Sequence, residues 1–322
     1  MFPPEYSGLE KLARRTRHAP VSVDVLPGDV GRRRYLRLTL ADNRTVLGVV
    51  YPSEEDEARR RWLTARAALR EKVRVPQLIA DDGMGNQIVE DFGREDLAAR
   101  LASLPEERTT WLRRAVTALA EIASLPDPGI NPPFDAALFR RELDLAREAV
   151  FDLYLGQPLT GEERGAHDAF ADALCAEVGA HPAALCHRDF HANNLFPLPE
   201  EVGAIDFQDM RQGPDSYDLA SLLWERTTLD WMHADVSDPL VADFASRRRI
   251  ALPDFRDRLR RVLLQRAWKV CGTFARAVAQ GRGEIYRRYL PGELSLAARL
   301  LDPTGPDAPF REVLAARFPE VC

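Results

Sequence analysis

Lysine is nearly missing from this chain: of its 44 basic residues three are lysine, Lys11, Lys72 and Lys269, and the rest are arginine. Any chemistry that needs an amine must use one of those three. Long hydrophobic runs are missing too, since none approaches the roughly 18 residues of a membrane span. No membrane association is therefore expected. Met1 to Glu10 lacks the basic-then-apolar pattern of a secretory signal. Cysteine is scarce, with four in 322 residues, and Cys175, Cys186, Cys271 and Cys322 are too far apart for metal-ligand spacing. A reduced, cytoplasmic protein is the expectation. Positive charge is not in excess: 50 acidic side chains against 44 basic ones give −6, which argues against nucleic acid as a partner.

What is present suits a globular chain with a full core, 45% hydrophobic and 29% charged. The first ninety residues read as strands around one helix. Pro20–Leu26 and Arg33–Leu40 alternate, the latter with Leu36, Leu38 and Leu40 on one face. Between them Pro27-Gly28-Asp29-Val30-Gly31 supplies turn chemistry. Ala41–Arg44 reads as a hairpin loop before the β-rich run Thr45–Tyr51. Ser53 and Asp56 form a capping-box pattern, behind which Ala58, Trp62, Ala65 and Leu69 mark a helix face. Short strands follow near Gln77–Ala80 and Gln87–Glu90. After Gly93 helical periodicity dominates: Glu106–Leu125, Asp135–Leu155, Gly161–Val178, Tyr217–Arg226 and Asp254–Ala279. The expected fold is α+β, with an N-terminal lobe over 1–93 (antiparallel sheet, one helix) and a mainly helical C-terminal lobe over 94–322. The tryptophans sit mostly in helical stripes and read as core.

Two apolar runs, Ala183–Cys186 and Val202–Ile205, interrupt the helices and lead into polar clusters. The first delivers Asp189 and, five positions on, Asn194. The second delivers Asp206. Two carboxylates and an amide oxygen suit a hard divalent cation such as Mg²⁺. A carboxylate set slightly apart can accept a proton from a hydroxyl. In-line phosphoryl transfer needs these parts.

His187-x-Asp189-x-x-x-x-Asn194 followed by Ile205-Asp206-Phe207 resembles the catalytic and metal motifs of the aminoglycoside-phosphotransferase and protein-kinase superfamily. The resemblance implies a two-lobed kinase-like fold, ATP as co-substrate, Asp189 as catalytic base, and Asn194 and Asp206 as Mg²⁺ ligands. It implies that Asp218 braces the catalytic loop from behind, with His187 in support. It further implies that the loop carrying Gly28 and Gly31 covers the phosphates, and that backbone groups of Glu90 and Phe92 meet the adenine. Gly28 to Tyr35, Asp206 to Pro214 and Gln265 to Val270 together are similar to the branch of anomeric kinases for N-acetylmuramate and N-acetylglucosamine, which act in cell-wall recycling. One departure is plain. The family places a lysine on the third strand, and Thr45–Tyr51 has none. Arg34, sharing parity with Leu36 and Leu38, is the candidate replacement, because an arginine can fork onto phosphate oxygens.

Four residues are candidates for holding the acceptor. His191 either reaches the acceptor hydroxyl or stabilises its loop. Asp209 and Arg211 either bind sugar substituents or pair with each other. Lys269 either joins Gln265 on one helix face or snorkels beside an apolar stripe. From Arg247 to Lys269 nine basic residues face only Asp254 and Asp257, which suits a neutral or anionic acceptor. The expected activity is thus an ATP- and Mg²⁺-dependent kinase, acting as a monomer on the C1 hydroxyl of an amino sugar. An aminoglycoside or other small-alcohol phosphotransferase, and a catalytically silent pseudokinase, remain as alternatives.

Overall fold

The computed structural model describes residues 2–27, 33–52, 56–281 and 283–320. In chain order the first elements are α1 (Ser7–Arg15), β1 (Ser22–Val25), β2 (Arg34–Thr39), β3 (Thr45–Val50), α2 (Asp56–Leu69), β4 (Leu78–Asp81), β5 (Asn86–Glu90), α3 (Leu97–Ser103) and α4 (Arg108–Ser124). They continue as α5 (Ala136–Arg147), α6 (Gly161–Gly179), β6 (Ala183–Cys186), β7 (Leu195–Pro197), β8 (Val202–Ala204), β9 (Arg211–Pro214) and α7 (Tyr217–Leu223). The last four are α8 (Ala234–Arg247), α9 (Leu252–Ala279), α10 (Glu284–Leu300) and α11 (Ala308–Arg317). The chain divides into two compact units, one of Met1–Ile130 with Ala192–Met210, the other of Asn131–His191 with Arg211–Cys322.

The first unit is built on an antiparallel sheet in the order β1-β2-β3-β5-β4. Side chains alternate between its faces. Leu36, Leu38, Val46 and Ile88 bury one face against Leu9, Leu12 and Ala13 of α1. Gly48 makes that approach possible, because a Cβ there would stand 2.4 Å from Leu9 Cδ2. The α1 helix is a second helix in a region where sequence periodicity marks one; its apolar residues cover barely two turns. The opposite parity, Tyr35, Arg37, Leu47, Val49 and Val89, lines a cavity instead.

The unit takes in chain well past Gly93, so its limits differ from the expected lobe boundary. Physical contacts explain this. Asp96 caps α3 through Ala99 N–H at 2.8 Å and accepts from Asn193 Nδ2 at 3.1 Å. The β7–β8 hairpin is tied back by a bridge between Arg74 and Gly203. Phe92 lies against Gly203, where a Cβ would meet the ring at 2.5 Å, and packs on Phe196 at 5.8 Å.

The second unit is organised around α9, against which α5, α6, α7, α8 and α10 pack. Thr160 and Glu163 form a capping box for α6, and Arg317 of α11 binds the same glutamate. β6 pairs antiparallel with β9. One expectation is corrected here, and two further helices are added. The helix expected over Tyr217–Arg226 stops at Leu223, because Trp224 adopts φ −123° and ψ 76° and turns the chain out. The α8 and α10 helices lie outside the segments expected to be helical, and each holds a proline, Pro239 and Pro291, in its interior. The capping box expected at Ser53 and the loop glycines Gly28 and Gly31 lie outside the described residues. Among the described residues no helix is long and apolar enough to cross a membrane.

Close helix packing makes one glycine testable. A Cβ at Gly272 of α9 would sit 2.3 Å from the Ala146 backbone of α5, whereas one at Gly165 of α6 meets nothing within 4 Å. Gly272→Ala should lower stability by about 1–3 kcal/mol, and Gly165→Ala should raise it by about 0.5–1 kcal/mol. Urea unfolding of both variants checks the pair; equal midpoints would contradict the packing described.

Candidate active site

The cavity of the first unit has a volume of about 470 Å³. Its floor comes from the sheet face described above, and its rim from the end of β5 and the β7–β8 hairpin. Leu195 pairs with Ala204, and Ile205 N–H donates to Asn194 C=O at 3.0 Å. The hairpin therefore presents Asn194 and Asp206 at the same end, and both line the cavity. Asp206 has φ +64°, a left-handed conformation that costs a non-glycine residue about 1–2 kcal/mol. Its Oδ1 accepts from Gln208 Nε2 at 2.8 Å, and its side chain is 42% exposed toward the open space. A carboxylate and an amide oxygen at one cavity wall form the oxygen donor set that Mg²⁺ takes.

Glu90 and Phe92 line the same cavity. Glu90 N–H already donates to Gln77 C=O at 2.9 Å, and its carboxylate pairs with Arg74. Beneath them Arg37 grips Asp91 through Nε at 2.6 Å and Nη2 at 3.1 Å, and also donates to Gly93 C=O at 2.7 Å. Burial raises the Asp91 carboxyl, but Arg37 and the other hydrogen bonds outweigh it and hold the group below its ordinary value.

Arg34 does not line this cavity. It is exposed and donates to its neighbour's carbonyl, Arg33 O, at 3.4 Å. The reason is parity: Leu36 and Leu38, whose face Arg34 shares, are the residues packed on α1. Arg33 has the parity of Tyr35 and Arg37, lines the cavity, and stands 3.8 Å from Asp206 Oδ1. Strand alternation alone could have found it, had the buried face been assigned to α1. Trp62 also lines the cavity while stacking on Phe207 at 5.7 Å, so it is both core and wall.

In the second unit β6 runs into His187, Arg188 and Asp189. The buried Asp218 of α7 accepts from His187 N–H at 2.5 Å and from Arg188 N–H at 2.9 Å. Arg188 has φ +82°, and Asp218 supplies the acceptor that holds that turn. Burial pushes the Asp218 carboxyl above its ordinary value. The His187 ring packs edge-on against Phe190 at 5.5 Å.

Asp189, His191 and Lys269 come together on a cavity of about 160 Å³, with Trp224, Glu225, Arg226, Arg266 and Glu293 around them. The early end of α7 brings Trp224 to Arg226 to this wall, and nothing in their sequence pattern marks it. Burial raises the Asp189 carboxyl, yet Lys269, Arg188 and Arg266 outweigh it and leave it lowered. Burial drives the His191 imidazole down to about 4, against the pull of Asp189. Burial also lowers the Lys269 ammonium. Asp209 and Arg211 line neither cavity; Arg211 lies over the Phe134 ring at 5.3 Å.

A cluster outside both cavities, Asp144, His167 and Asp168, places ligand-type atoms within 4.8 Å of one another. Arg140 fills it, at 3.2 Å from Asp144 and 2.8 Å from Asp168, which makes it an ion network rather than a metal site.

Residues 22–261 match the model of the APH phosphotransferase enzyme family. The chain is 30% identical over 283 residues to the N-acetylmuramate/N-acetylglucosamine kinase of Neisseria meningitidis, covering 84% of this chain and 83% of that protein. It is 30% identical over 264 residues to the enzyme of the same name from Pseudomonas aeruginosa, covering 80% and 77%. Among solved structures, the gentamicin complex of APH(2")-IIa superposes with a TM-score of 0.63 at 16% identity, covering 96% of this chain and 99% of that one. A choline/ethanolamine kinase family protein from Mesorhizobium loti gives 0.63 at 16% identity, covering 97% and 99%. These two likenesses establish the kinase-like fold.

The geometry of the Asp218 brace makes a stability prediction. Asp218→Ala leaves two buried N–H donors without their acceptor and should cost about 2–4 kcal/mol. Denaturant unfolding measures it; wild-type stability would mean that the loop holds itself.

Proposed function

The chain belongs to the phosphotransferase enzyme family, and from that premise we propose that it moves the γ-phosphoryl group of ATP to the C1 hydroxyl of an N-acetylated amino sugar, N-acetylmuramate or N-acetylglucosamine, for re-use of cell-wall sugar. One observation carries the reading. Asp189, kept ionised by its cationic neighbours, faces a small polar cavity beside a neutral His191. An ionised carboxylate in such a place can take the proton of an alcohol as the new O–P bond forms and the bond to the departing ADP breaks. His191, uncharged at neutral pH, is a hydrogen-bonding group for the acceptor and not a competing acid. Asn194 and Asp206 would hold Mg²⁺, which when bound neutralises charge on the phosphates. Glu90 C=O and Phe92 N–H are the backbone groups for the adenine edge.

The charge of the acceptor cavity favours a sugar over a polycationic aminoglycoside. Burial, reinforced by Glu225, pushes the Glu293 carboxyl up to about 8, so at neutral pH it is mostly protonated. Burial raises Glu225 as well. Arg226, Arg266 and Lys269 then outnumber the carboxylates left to ionise on that wall. A neutral acetamido sugar or one bearing a carboxylate fits that wall; an ammonium is repelled.

The test is ADP release against N-acetylmuramate, N-acetylglucosamine, glucosamine and kanamycin. Turnover is expected with the first two, and ³¹P–¹H coupling should put the phosphate on C1. Asp189→Asn should lower kcat by at least about 10²-fold while ATP still binds. Turnover of kanamycin alone would replace the sugar reading with an aminoglycoside one. Silence toward all four with ATP bound would favour a pseudokinase.

The pH profile offers a separate check. Asp189 works as the carboxylate, and Lys269, Arg188 and Arg266 hold its pKa below the ordinary aspartate value, so it is ionised throughout the neutral range. His191 stays neutral above about 4. The kcat profile should therefore fall only as pH drops into that acid range. A step near pH 6.5 that vanishes in His191→Asn would show an imidazolium at work and contradict the assignment.

A further inference from the structure

The first cavity lacks an amine, since no described residue lining it is lysine, yet it would receive the most highly charged part of a nucleotide. Its described cations are Arg33 and Arg37. Arg37 is committed to Asp91 by two hydrogen bonds and to Gly93 C=O by a third. Arg33 is placed differently. Its side chain is 19% exposed, it donates to the Tyr51 phenol oxygen, and its Nη2 stands 3.8 Å from Asp206 Oδ1. That separation is at the outer edge of an ion pair and too long for a hydrogen bond. Asp206 meanwhile carries the strained φ of +64° and faces the open space.

We propose that Arg33 is the phosphate-gripping residue of this chain, and that its ion pair with Asp206 is an exchange contact: Arg33 rests against the carboxylate and passes to the phosphates when nucleotide binds. The proposal rests on the kinase reading above and adds a residue that the third-strand rule does not supply. The chemistry is balanced without a bond being made. A guanidinium leaves one oxygen anion for another, and its planar fork suits phosphate oxygens better than a single distant carboxylate oxygen. The released Asp206 carboxylate is then uncovered for a cation. Tyr51, whose hydroxyl accepts from Arg33, tethers the side chain on the cavity wall in both positions. Arg34 cannot play this part, because its parity directs it to the α1 face of the sheet.

Two binding measurements test this without turnover. The first is ATP affinity by calorimetry in EDTA, so that no metal contributes. Arg33→Ala should weaken it by about 10- to 100-fold, the loss of a charge-assisted contact to phosphate. Arg33→Lys should recover part of it. The second is Mn²⁺ affinity without nucleotide, followed by the EPR signal of the free ion. Here Arg33→Ala should bind about two- to fivefold more tightly, because a partly exposed competitor for Asp206 is gone. Opposite signs in the two measurements are the signature. Unchanged ATP affinity in a folded Arg33→Ala protein overturns the proposal and leaves the kinase reading intact. So does a loss carried by Arg34→Ala in its place. Weaker Mn²⁺ binding in Arg33→Ala overturns the exchange contact. A wild-type chain that binds no ATP at all overturns the nucleotide reading, and the proposal with it.

Discussion

The second unit depends on one buried carboxylate. Asp218 is sealed in α7 and accepts the N–H groups of two consecutive residues, His187 and Arg188, at the point where the strand β6 ends. A strand that ends in the interior exposes backbone donors, and unmet donors are expensive there. Asp218 meets both, and in doing so admits the left-handed turn at Arg188 that carries the chain on to Asp189. Remove that acceptor and the loop has no reason to keep its path. The position of Asp189 is therefore set by a residue that lies almost thirty positions later in sequence.

The first unit has a counterpart of another kind, in which alternation does the positioning. With α1 seated on Leu36, Leu38, Val46 and Ile88, their odd neighbours turn to the other face, where Tyr35, Arg37, Leu47, Val49 and Val89 line the cavity. Arg37 could not sit there unpaired, and Asp91 answers it from β5's far end. Gly48 under Leu9 and Gly203 under Phe92 are two places in this unit where packing leaves no room for a side chain.

Much of this was legible in the residues themselves. The alternation of β2 and the β-rich run of β3 have the plain period of a half-buried sheet, and the spacing from Asp189 to Asn194 and on to Asp206 marks the polar ends of short strands. What could not be read follows from tertiary context. Arg34 and Arg33 are both arginines in a basic run, and choosing between them requires knowing which face of the sheet α1 covers. The stop of α7 at Trp224 has no glycine or proline to announce it, so Glu225 and Arg226 looked like one more helical turn. Glu293 lies in a helix that contains a proline, and its place beside Arg266 is a product of packing between α9 and α10.

The scarcity of lysine has a consequence for anyone who wishes to block this protein. Reagents that disable kinases by acylating or sulfonylating an amine beside the phosphates need a nucleophile with a lone pair. The described basic residues lining the first cavity are arginines, whose guanidinium groups stay protonated and unreactive in water. If that cavity takes the nucleotide, as proposed, an analogue bearing an amine-directed warhead would stay there only as long as its reversible contacts last. An inhibitor for this chain has to be found through shape and charge, or through a planar dicarbonyl that condenses with arginine.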